Sequence, residues 1–321
     1  MMKRMKIKIF KHSNFGNETK SLNSRKAELT TQQIVLLIIL IASFIVILFL
    51  LFRLNLGEIT DNELCHNSVV MRGNAALSKD LIPLNCKTSY ICITEDGTCE
   101  EMTKPDIKEV KSEEEVYQVL ADEMADCWWM FGEGKVNYVS RDLTNENHCS
   151  ICSQIGFDNS LYDEDFGDKI FETENIDKKK LYDYMEDNKI SGKEINYYEY
   201  LYGVKNVPEL TSQYSYGKIN LEEQSYLVMG IKSKGTLEWV IAGGAILGVV
   251  ATTIAIVSNP IGWTVGSAMV IGATTAGGGG GHVVGTILEG DSGDFYLRPT
   301  IIGANSEEFK GLNCSKVETL A

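Results

Sequence analysis

Two long uncharged stretches constrain this 321-residue chain more than any other feature of it. The first, IVLLIILIASFIVILFLLF, runs from Ile34 to Phe52. The second runs from Trp239 to Leu288, and His282 is its one titratable residue. A bilayer core about 30 Å thick takes about 20 apolar residues as helix. The first stretch therefore predicts a transmembrane anchor over 34–52. The second has length for two spans, with Asn259-Pro260 as the turn between them. Its glycines recur four apart, at Gly244 and Gly248, Gly262 and Gly266, and Gly277, Gly281 and Gly285. Lipid gives helices no hydrophobic reason to associate, so small residues that admit close backbone approach do that work. The expectation is a glycine-packed helical hairpin over 237–288. No charged wall lines it for ions, but a membrane-active or pore-forming role is one alternative function.

Charge is segregated around the first stretch. Residues 1–33 hold eight Lys/Arg against Glu18 and Glu28, a basic tail of net +6 on a chain of net −14. A Lys/Arg-rich flank stays in the cytoplasm, which places the chain beyond the anchor outside. The acidity of that remainder excludes nucleic acid as a partner, since phosphate binding needs a basic face. The partners implied are the lipid bilayer, further copies of the chain or other envelope proteins.

All eight cysteines lie after the anchor: Cys65, Cys86, Cys92, Cys99, Cys127, Cys149, Cys152 and Cys314. That usage fits disulfides in an exported domain. Seven precede the glycine-rich stretch and one comes after it, so a hairpin that returns the chain to the same face makes the count there even. His148, Cys149, Cys152 and Cys127 form the alternative, a structural zinc set built on a C-x2-C pair.

Between the apolar stretches, 53–236 reads as an α+β domain. KTSYICI, the turn TEDG and TCEEM predict a β-hairpin bent at Asp96-Gly97, followed by a charged linker, TKPDIKEVKSEEE. Ser112 and Glu115 form a capping-box pattern. Val116, Leu120, Met124, Cys127 and Phe131 then recur at helical spacing, and Gly132 and Gly134 end the helix. Trp128 and Trp129 read as core or membrane-interface residues. IDKKKLYDYMEDNKI reads as a short surface helix, KINLEEQSYLVMGIKS as a strand or two, and FYLRPTII as a strand in the tail, 289–321.

No catalytic or cofactor-binding constellation emerges. GDSG at 290–293 has the letters of a serine-protease nucleophile segment, but in a membrane-exit loop it reads as a polar turn. DEDFGD at 163–168 misses the spacing of a calcium loop and reads as a solvated acidic segment. The sequon Asn313-Cys314-Ser315 competes with a disulfide at Cys314.

RKAELTTQQIVLLIILIASF, Arg25 to Phe44, resembles the class III signal peptides of archaeal type IV pilin-like proteins. The resemblance implies processing between Ala27 and Glu28, although Gln32 stands where bacterial pilins carry glutamate. CWWMFGEGKVNYV, HCSICSQIGFD and YYEYLYG, with the same anchor, are similar to segments of a family of uncharacterised archaeal membrane proteins, over roughly residues 25–205. That family brings no activity with it. The expected function is non-catalytic: an integral membrane surface or envelope protein that binds partners or assembles, with a pilin-like subunit as another alternative.

Overall fold

The computed structural model describes residues 31–53, 60–75, 79–99, 102–139, 147–162, 169–210, 214–232, 268–273, 281–290 and 294–320. The chain divides into two compact units, Met1–Glu58 and Ile59–Ala321.

In the first unit, helix α1 spans Thr31–Arg53. Every side chain from Gln32 to Phe49 is exposed, including Phe49 at 62% and Leu36 at 66%. Among the described residues this is the one helix long and apolar enough to cross a membrane. Its 23 residues give about 35 Å of helix, enough for a bilayer core.

The second unit is an α+β domain. Its elements are α2 (Asp61–Gly73), β1 (Ser89–Thr94), β2 (Asp106–Glu109), α3 (Glu113–Met130), β3 (His148–Phe157), β4 (Asn175–Asp177), α4 (Lys178–Asp187) and α5 (Tyr197–Tyr202). After these come β5 (Tyr214–Ser215), β6 (Lys218–Asn220), β7 (Ser225–Lys232), β8 (Ala268–Ala273), β9 (Gly281–Glu289), β10 (Phe295–Gly303), α6 (Glu307–Gly311) and β11 (Lys316–Val317). The main sheet has the order β2-β1-β3-β7-β10-β9-β5, with β11 beside β3 and β8 beside β9. Strands β4 and β6 pair separately.

Helix α3 is the platform for the other helices. Ser112 caps it, its side chain accepting from the Glu115 N–H at 3.3 Å. The Glu115 carboxylate in turn accepts from the Lys111 N–H at 2.6 Å, one residue before the cap. Val116, Leu120, Met124, Cys127 and Phe131 are buried, as the spacing predicts. The helix packs on β7 and β10 and carries α2, α4 and α5. Gly132 and Gly134 then take φ of +79° and +71°, a region open to glycine at little cost.

All eight cysteines are paired, as Cys65–Cys86, Cys92–Cys99, Cys127–Cys152 and Cys149–Cys314. The zinc alternative is thereby replaced: Cys127, Cys149 and Cys152 are all in disulfides and hold no thiolate for a metal. His148 instead sits 2.7 Å from the Glu318 carboxylate through Nδ1. The last bridge brings the tail into the domain. The Glu318 N–H donates to Cys149 O, and Leu320 exchanges backbone bonds with Cys86 and Thr88, each at 2.8 Å.

Two local expectations change. The bend at Asp96-Gly97 is present, with Gly97 at φ +81°. Cys92–Cys99 closes a small loop there, and the partner of β1 is DIKE, running parallel to it rather than back along it. The charged linker therefore contains a strand.

The larger change concerns the expected helical hairpin over 237–288. Gly244, Gly248, Gly262, Gly266 and Gly277 lie outside the described residues. Residues 268–273 and 281–289, however, are two antiparallel strands, and Gly281 and Gly285 belong to the second of them. At Gly285 an added Cβ would stand 3.0 Å from Leu297 Cδ1 and 3.4 Å from Thr300 Cγ2. There the missing side chain serves close approach within a sheet, not helix packing. The physical reason is general: an apolar strand is as free of charge as a lipid-facing helix, so the absence of charge does not separate the two.

The bridge between Cys149 and Cys314 spans 165 residues of sequence. Replacing both cysteines by serine should lower the unfolding free energy by about 3–5 kcal/mol, read from denaturant midpoints.

Candidate functional site

A cavity of about 420 Å³ opens where the start of α4 meets β6 and the ends of β7 and β10. Its lining includes Lys178, Ser215, Glu223, Ser225, Ser306 and Glu308. Its most unusual member is Lys178, the first residue of α4.

The local sequence buries that lysine. Asp177 caps α4, accepting from the Lys179 N–H at 2.9 Å. Lys178, Leu181, Tyr182 and Met185 then fall at helical spacing on the buried face. The Lys178 N–H donates to Gly217 O at 3.1 Å, which ties the helix start to the turn before β6. Gly217 makes that turn with φ of +79°. The ammonium end reaches Ile301 O on β10 at 2.6 Å. Lys178 is 8% exposed. Burial brings its pKa down to about 8, against a weaker upward pull from the charge of Glu308. An amine of that kind is present as neutral base near pH 8 and can act as a nucleophile or proton acceptor.

Beside the cavity lies a nest of tyrosines. Tyr182 packs edge-on against Tyr198, Tyr202 and Tyr216, with ring centroids 5.0–6.0 Å apart. Burial raises the pKa of each of these hydroxyls. Arg298 of β10 enters the nest, donating to Tyr202 O at 2.7 Å, and burial lowers its pKa to about 10. Tyr182 and Tyr198, from the acidic and tyrosine-rich stretch 158–200, are thus core residues.

The residues singled out in the sequence go elsewhere. Trp128 is core, while Trp129 stacks on His66 with centroids 4.1 Å apart and planes 6° from parallel. His148 meets the buried Glu318 carboxylate, which also faces the buried Arg72 and the half-exposed Lys316. Burial opposes ionisation of Glu318, but hydrogen bonds from His148 and Lys316 outweigh it and hold that carboxyl below its usual range. Of GDSG only Gly290, after β9, lies among the described residues, and its N–H donates to Asp294 O at 2.8 Å. Asp294 is fully buried and accepts from Asn137 at 2.7 Å. DEDFGD lies outside the described residues. The cavity is made by none of these. KKK at 178–180 falls in the segment read as a short surface helix, yet the spacing from Lys178 to Leu181, Tyr182 and Met185 puts the first lysine on its buried face.

Burying Lys178 fixes the sign of a pH effect. Its folded pKa, about 8, lies below its ordinary value of 10.5, so folding is disfavoured below pH 8 and that penalty fades between pH 8 and 10.5. Lys178→Met should be more stable than the parent at pH 7, by on the order of 2–3 kcal/mol. The gap should shrink as pH rises to 10.5, measured as the difference in urea midpoints. No protein-family model, no curated protein and no solved structure matches this chain.

Proposed function

We propose that the chain is a membrane-anchored envelope protein whose disulfide-held domain stands outside the cytoplasm and works by binding, not by catalysis. One observation carries this reading: a bare apolar helix is followed by a domain in which every cysteine is oxidised. Cytosolic thiols are kept reduced, whereas exported domains keep such bridges. The basic tail before the helix supports the same orientation. The domain's binding site, in this reading, is the cavity at Lys178.

The strand register bears on how the second uncharged stretch meets lipid. Lys232 at the end of β7 pairs with Phe295, and Ala268 at the start of β8 pairs with Ile287, itself opposite Leu297. The chain thus leaves and rejoins the sheet at one end, which requires an even number of membrane crossings, including none. With β8 and β9 in the sheet, the uncharged residues left before them are Trp239–Ser267, at most about 44 Å of helix. Two full crossings of a bilayer core need about 60 Å. The anchor at 34–52 is accordingly the one crossing in this proposal, and any lipid contact of 239–267 enters and leaves by one face.

The orientation is tested with single cysteines introduced at Ser13, Ser191 and Ser315. In intact cells, an impermeant maleimide should label Ser191→Cys and Ser315→Cys, and should reach Ser13→Cys only after permeabilisation. Labelling of Ser13→Cys in intact cells, or protection of either of the other two, contradicts the proposal. A mature protein beginning at Glu28 would instead favour the pilin-like alternative.

A further inference from the structure

We propose that the cavity captures carbonyl compounds: the Lys178 amine adds to the aldehyde or ketone carbon of a small hydroxylated ligand and holds it as an imine. The inference rests on the cavity as the binding site and adds a covalent step at one atom. Three observations meet at that residue. Lys178 is 8% exposed, yet it lines a cavity of about 420 Å³. Its Nζ donates to a neutral acceptor, Ile301 O, and no ion pair joins it to a carboxylate among the described residues. Burial opposes the ammonium more than the charge of Glu308 supports it, so the site shifts the balance toward the neutral amine, the nucleophilic form. The remaining lining suits the ligand: Ser215, Ser225 and Ser306 offer hydroxyls, and Glu223 and Glu308 offer acceptors.

The step balances without a redox partner. The amine lone pair forms a C–N bond as the carbonyl π bond breaks, and a proton shifts from nitrogen to oxygen to give a carbinolamine. Loss of that hydroxyl as water leaves the C=N bond. The lowered pKa of about 8 supports the assignment. At pH 7.5 about a quarter of such amines are neutral, against about one in a thousand for an ordinary lysine.

Lys179 and Lys180, the next residues of α4, are internal controls, since both are more exposed than Lys178. The full-length protein is treated briefly with glycolaldehyde and cyanoborohydride, which reduces the imine to a stable secondary amine, and the peptides are weighed. At pH 7.5 Lys178 should be modified at least about tenfold faster than either neighbour, and its rate should level off above about pH 8.5 while theirs keep climbing. In the urea-unfolded chain the three should react alike. If Lys178 in the folded protein reacts no faster than Lys179 and Lys180, or its rate climbs with pH in parallel with theirs, the inference is overturned. Both results are independent of the membrane orientation proposed above.

Discussion

The covalent return of the tail, through Cys149–Cys314, is the constraint on which the rest of the domain depends. Strand β3 lies inside the sheet between β1 and β7. It is fixed to α3 by Cys127–Cys152 and to the tail by Cys149–Cys314. The tail then supplies β11, the Glu318 carboxylate that meets His148 and Arg72, and the backbone of Leu320 that closes on Cys86 and Thr88. Segments from both ends of the domain sequence therefore share one sheet. Whatever lies between β7 and β8, the two strands on either side of it belong to one sheet.

The same sheet explains the cavity. Strand β10, paired with β7 over most of its length, presents Ile301 O to Lys178 and Arg298 to the tyrosine nest. Two cations are thus buried against the inner strands, and each lies below its ordinary pKa because burial removes water. Arg298 has a polar and aromatic cage. Lys178 has a carbonyl and an opening. A domain held by four disulfides can tolerate an unfavourable amine better than one held by packing alone, since each bridge raises the free energy of the unfolded chain.

Sequence made some of this legible and hid the rest for identifiable reasons. The helix at 113–130 was readable because cap, spacing and terminating glycines agree. The strand FYLRPTII and the use of the cysteines in disulfides were readable as well. The strands at 268–273 and 281–289 were not, because the absence of charge is the same signal for a lipid-facing helix and for an apolar strand. The parallel pairing of β1 and β2 was hidden because a bend between two short runs reads as a hairpin unless a disulfide closes it first. Lys178 was hidden by its neighbours: three lysines in a row look solvated, and only the helical phase separates the first from the others.

The central claim is that the tail is bonded to the inner strand β3, and it is tested most directly by digestion without reduction followed by mass mapping. The peptide carrying Cys314 should appear joined to Cys149, and Cys127 should appear joined to Cys152. A bridge between Cys149 and Cys152, or a free thiol at Cys314, would contradict it.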